Sequence, residues 1–200
     1  AEAGAGAAED DNATADAEDD ADGDVEDDAE EEPSLLEEWR RTILYGIDSQ
    51  VENLLPVLSG NDETRLNGEI EELLQTSPNA SLKTAIFEFF QDVDDEIAMD
   101  EAAAVLADYR GANGELVRAA LNYLRNGSFE LSEDAESNVR AVVENIRSGY
   151  TALGARVLGE KGGEGTAEVL LQALNDATNN ELRGQIILAL GDLGSAEAVD

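Results

Sequence analysis

Neither cysteine nor histidine occurs anywhere in the 200 residues. Their absence excludes disulfides, thiol nucleophiles and Ser-His-Asp chemistry, and removes the side chains on which nearly every transition-metal site depends. Positive charge is almost as scarce: 12 Lys and Arg stand against 47 Asp and Glu, for a net charge of −35. A surface of that sign repels phosphate backbones, so nucleic-acid binding is not expected. It suits basic partners or cations, although charge of this size acts mainly on solubility and association. Long apolar runs are missing too. None approaches the roughly 18 residues a membrane-spanning helix needs, and no such segment is expected.

The acid is unevenly placed. Residues 1–33 hold 16 acidic side chains and no basic one, with Val25 as the only sizeable apolar residue. Such a segment cannot bury enough surface to offset the entropy of ordering, so it is expected to be a disordered acidic leader. Residues 34–200 carry the remaining 31 acids and all 12 bases, a net −19, and show periodic apolar stripes broken by polar turns. The chain opens on small residues, AEAGAGAAED, without Met, which fits a processed mature form or a fragment. That start and the lack of cysteine lean towards an exported protein of a bacterial periplasm. Ten Arg against two Lys, with acid reaching into the periodic region, would also suit the cytoplasm of a salt-adapted organism.

In ELRGQIILALGDLG, residues 181–194, Leu182, Ile186, Leu190 and Leu193 recur at helical spacing, with Asn180 at the N-cap and Gly191 and Gly194 as the exit. The same frame returns in YTALGARVLGEKG (150–162), LKTAIFEFFQDVD (82–94) and ELVRAALNYL (115–124). The last strong apolar position of each segment forms a ladder: Leu58, Leu74, Phe90, Leu106, Leu124, Val142, Leu158, Leu174 and Leu190. Its steps of 16 or 18 residues give a period of 32 to 36 per helix pair, and no segment alternates as a strand does. This predicts an all-α solenoid of stacked helix pairs. SAEAVD, after Gly194, reads as the first turn of a further helix, so the array is expected to be truncated there.

The stretch GTAEVLLQALNDATNNELRGQIILALGDLGSAEAVD (165–200) resembles the HEAT-like repeat, including the variety first noted in phycobilisome lyases. The likeness is good over residues 150–200 and degenerate over 48–149. EEWRRTILYGIDSQVENLLPVL (37–58) is more loosely similar to exported HEAT-repeat proteins of spirochaetes. The resemblance implies about four HEAT-like helix pairs forming a non-catalytic scaffold that binds another protein along its concave face. Two departures leave the first-helix or second-helix assignment of the early segments open: Pro56 inside ENLLPVL, and Gly68 in the middle of ETRLNGEIEELLQ. The lyase name suggests a chromophore lyase or its subunit instead, which the missing Cys and His do not support. A passive spacer is the third alternative.

Second helices of such pairs supply the concave face, and on stripe geometry their exposed positions include Glu88, Gln91, Asn122, Arg125 and Gln185. Phe87 lies off the stripe of Leu82, Ile86, Phe89 and Phe90, and is expected to be partly exposed beside them. Trp39 is expected to cap the open end of the core. Lys83, Arg118 and Arg183, each shortly after an Asn, are expected to pair with acids along the stack rather than form a basic stripe. The run DVDDE (92–96) fails as a calcium loop, because Ile97 stands where the turn needs Gly. GEKGGEG (159–165) lacks the third glycine of a dinucleotide fingerprint, with Glu168 in its place, and reads as a helix exit. No catalytic residue, cofactor or metal is expected.

Overall fold

The computed structural model describes residues 34–197. The leader expected at residues 1–33 lies outside the described residues. Ten α-helices follow one another: α1 (Leu35–Tyr45), α2 (Asp48–Gly60), α3 (Asn67–Thr76), α4 (Ala80–Asp92), α5 (Met99–Ala107), α6 (Gly114–Asn126), α7 (Glu133–Glu144), α8 (Thr151–Lys161), α9 (Thr166–Asp176) and α10 (Asn180–Glu197). No strand occurs among the described residues, and a 3-10 turn at Glu96–Ala98 leads into α5. The fold is all-α, as the spacing predicts.

Local chemistry sets the helix starts. Ser34 and Glu37 form a reciprocal capping box on α1, Asn79 caps α4, Asn113 caps α6 and Ser132 caps α7. At α10 the cap is Asn179, whose side chain accepts the Leu182 N–H at 2.7 Å, one residue earlier than the expected Asn180. Odd-numbered helices pack into one layer and even-numbered helices into another. Along the second layer α2, α4, α6, α8 and α10 touch in order; along the first, α1 meets α3, and α5, α7 and α9 follow. One continuous apolar core runs between the layers from Ile43 to Leu193. The ten helices make five pairs rather than about four, because SLLEEWRRTIL supplies a full first helix, with Trp39 half-buried against the core.

Three sequence expectations change. Pro56 sits within α2, a second helix, and does not end it: Pro56 is exposed, so the missing N–H costs its bond at the solvent side. Gly68 is in the first turn of α3 rather than mid-helix, because α3 begins only at Asn67. Helix α10 continues through Gly191 and Gly194 to Glu197, so no stop and no new helix occur at 194–197. Neither glycine adopts the left-handed conformation that would end a helix; among the described glycines only Gly149 and Gly165 do.

The turns after α2 and α4 repeat each other. Asp62 and Asp94, 32 residues apart, both take positive φ, of 51° and 53°. The next amide closes the turn in the same way: Glu63 N–H to the Leu58 carbonyl and Asp95 N–H to the Phe90 carbonyl, both at 3.0 Å. Aspartate tolerates this conformation better than most residues.

Candidate protein-binding face

Helix α4 has neighbours on both sides in its own layer and the first-helix layer beneath it. Three of its flanks are therefore covered, and only a narrow line of residues meets solvent. Phe87, expected to be partly exposed, is fully buried instead. Its ring lies 5.6 Å from that of Tyr123 on α6, so it packs against the following pair rather than facing outward. A single-helix stripe treats the flank as surface; in the stack the flank is an interface. Burial pushes the Tyr123 hydroxyl well above its ordinary pKa, and that hydroxyl donates to the Asp95 carbonyl at 2.7 Å.

Glu88 is exposed, and with Glu52, Ser59 and Asp92 it rims a groove of about 110 Å³ between α2 and α4. Leu55, Pro56, Ala85 and Phe89 supply the apolar floor, and no Lys or Arg lines it. The groove thus offers three carboxylates above an apolar base. Gln91 is half-buried and accepts from the Asn126 side chain at 3.1 Å. Asn122 is half-buried on the next helix. Arg125, beside it, donates through Nε to Glu160 of α8 at 2.8 Å. These bonds tie α4 to α6 and α6 to α8 through Gln91 and Arg125, with Glu88 and Asn122 one turn earlier on α4 and α6.

Gln185 does not join them. It lines a separate hollow of about 460 Å³, where Ile146 and Arg147 face Asn179, Glu181 and Leu182 at the starts of α8 and α10. Glu52, Asp92, Asn126 and Glu160 belong to the groove or to the bonds between α4, α6 and α8, yet sequence reasoning missed them. The 32-residue identity of the turns after α2 and α4 was the signal that could have placed α2 beside Glu88.

The other motifs resolve into structural wiring. Lys83 pairs with Glu101 of α5 at 2.6 Å, as expected, whereas Arg118 pairs within its own helix, with Glu115 at 2.9 Å, rather than along the stack. Arg183 is exposed and forms no ion pair among the described residues. In the acidic turn, Asp94 accepts the Ser128 N–H at 2.6 Å and its hydroxyl at 2.5 Å, which holds its carboxyl below the ordinary range. Asp95 accepts from Ile97 N–H at 3.0 Å and from the Asn67 side chain at 2.6 Å. In the glycine loop, Gly163 N–H donates to Glu136 at 2.8 Å, and Arg140 holds the same carboxylate at 2.7 Å. Burial pushes the Glu136 carboxyl up, but Arg140 and Gly163 outweigh it and the net displacement is downward. Such carboxylates stay anionic and hold their neighbours, the reverse of a general acid, whose proton affinity must be raised.

Another hollow, about 640 Å³, lies between residues 107–110 and 141–145. Its Tyr109 hydroxyl accepts from Asn145 at 2.8 Å and Arg110 at 3.2 Å, a bridge between two turns. No helix among the described residues is long and apolar enough to cross a membrane. Comparison with known proteins found no matching family model, no matching curated protein and no matching solved structure.

Proposed function

We propose that this chain is a HEAT-like, non-catalytic scaffold whose second-helix layer is the binding face for another protein. The groove between α2 and α4 supports this reading most directly. Glu52, Glu88 and Asp92 stand above Leu55, Pro56 and Phe89, with no internal cation to neutralise them. A groove of that make-up fits a partner segment carrying Lys or Arg beside an aliphatic side chain. The bonds between Gln91 and Asn126 and between Arg125 and Glu160 keep the neighbouring helices in register, so the face is preorganised.

Selection from a random displayed-peptide library on the full chain tests the proposal. Enriched peptides are expected to combine Lys or Arg with Leu or Ile, and the double variant Glu52→Lys, Glu88→Lys should weaken them about tenfold, roughly the sum of two rim charges. Both positions lie at the surface, and an unchanged urea midpoint would show that the variant is folded. Peptides that bind the charge-reversed chain as well as the parent would reject the groove. No enrichment at all would favour the passive spacer.

A further inference from the structure

We infer that Met99 is a peroxide-oxidisable fastening between two helix pairs, and that its conversion to the sulfoxide releases the α6–α7 turn from α5. The inference is independent of the binding groove and rests on a bond made by a single sulfur atom. The 200 residues hold one Met and no Cys. Met99 opens α5, and its thioether accepts the Ser132 N–H at 3.1 Å. Ser132 is the N-cap of α7, and its own hydroxyl accepts from the Ala135 amide at 3.2 Å. A weak acceptor thus stands where a backbone donor 33 residues away needs one. The turn that this bond completes, residues 127–131, is also pinned elsewhere. Asp94 accepts the Ser128 N–H at 2.6 Å, and Lys161 donates to the Phe129 carbonyl at 2.9 Å. The Tyr123 ring lies 5.1 Å from that of Phe129. Of these pins, the Met99 bond stands nearest α7, and it alone runs through a sulfur.

Met99 is half-buried: it packs on the core, and with Glu96, Ile97 and Asp100 it lines a surface hollow of about 390 Å³. The exposed carboxylates of Glu96 and Asp100 repel anions, so neutral hydrogen peroxide is the oxidant that this hollow suits. The thioether sulfur gives its lone pair to one peroxide oxygen; an S–O bond forms and the O–O bond breaks. The departing hydroxide takes the proton left on the transferred oxygen and becomes water. Sulfur loses two electrons and the peroxide gains them. A thioether has two lone pairs, and the Ser132 N–H occupies one, so oxygen adds to the other and one sulfoxide epimer is favoured. The oxidised sulfur is electron-poor and serves the N–H badly. An oxygen on the Ser132 side would have to stand inside the 3.1 Å gap. The sulfoxide is also polar, which draws the side chain off the core towards the hollow. Ser132 then loses its acceptor and the start of α7 loosens from α5. Further along α7, Asn138 still donates to the Ala103 carbonyl at 3.0 Å, so the two helices stay together. Methionine sulfoxide reductases, each acting on one epimer, reverse the change.

Peroxide treatment of the full chain, followed by intact-mass and hydrogen-exchange measurements, tests this. Addition of one oxygen atom should speed exchange at the Ser132 amide about tenfold and leave the amides of α9 unchanged. Met99→Leu keeps the apolar bulk and removes the acceptor. Its Ser132 amide should exchange fast from the start, and peroxide should not alter it. Stereochemistry is the deciding arm. The sulfoxide peptide, released by digestion, is offered to the two epimer-specific reductases separately. After oxidation of the folded chain, one reductase should restore nearly all of it. After oxidation in urea, where both lone pairs are free, each should restore roughly half. Equal epimers from the folded chain would overturn the inference. So would a Ser132 amide that stays as protected as the parent's after oxidation or in Met99→Leu. Faster exchange through the whole core would overturn it too, since Met99 would then support the fold at large rather than one turn.

Discussion

At the scale of single residues, a glycine shows how position in the stack overrides local reading. The Leu158-Gly159 step resembles a helix exit, yet Gly159 is buried inside α8. A Cβ there would lie 2.5 Å from the Ala189 carbonyl oxygen and 2.7 Å from its Cα, both backbone atoms of α10 that cannot turn aside. Glycine is thus what lets the two helices cross so closely. Gly159→Ala is expected to cost about 1–3 kcal/mol, as overpacking of a tight contact does. Gly184, inside α10, has nothing within 4 Å of its would-be Cβ. Gly184→Ala should stabilise by about 0.5–1 kcal/mol, because it removes backbone freedom from the unfolded chain without strain. Urea unfolding midpoints at constant slope give both values. Equal, small effects would mean that α8 and α10 do not approach at this glycine.

At the scale of elements, the helices were legible because each must bury one stripe, and the rungs from Leu58 to Leu158 are all buried. What the stripe could not show is the flank. Phe87 looked half-exposed because a helix read alone has two sides, while α4 has neighbours on three. The groove was legible only in part: Glu88 was found, but Glu52 comes from a helix 36 residues earlier, and pairing across the stack is not local information. The turns between pairs hid most. DVDDE reads as loose acid, yet Asp94 bonds Ser128 across 34 residues, and Lys161 donates to the carbonyls of Gly127 and Phe129 in the same turn. Asp94→Ala removes two acceptors and places a residue poorly suited to positive φ. Hydrogen exchange at the Ser128 amide is expected to speed up by tenfold or more, while amides in α9 stay unchanged. Unaltered exchange at Ser128 would mean that the turns are not wired to one another.

At the scale of the whole molecule, two electrostatic effects pull in opposite directions as pH falls. Residues 34–200 hold 31 acids against 12 bases, so protonating crowded carboxylates relieves repulsion and favours the compact state. Against this stand carboxylates that the fold keeps ionised. The Arg40 guanidinium holds Glu69 below its ordinary pKa, Arg65 does the same for Glu63, Ser128 for Asp94, and Arg140 with Gly163 for Glu136. A folded-state pKa below the unfolded value means that the folded chain binds protons less readily. The stability these four groups contribute is therefore complete above the unfolded carboxylate range, near pH 4, and is lost as pH drops through the lowered folded values. Self-repulsion from the net charge of −19 on residues 34–200 acts across the whole range above those values. The urea midpoint is accordingly expected to rise from pH 7 to about pH 5 and to fall again towards pH 3, measured at protein concentrations where the chain is monomeric. A midpoint that climbs without a break down to pH 3 would show that the four held carboxylates contribute nothing against self-repulsion. A steady decline from pH 7 would show the reverse: the ion pairs and turn contacts outweigh the net charge throughout, and the acidic surface carries no penalty for folding.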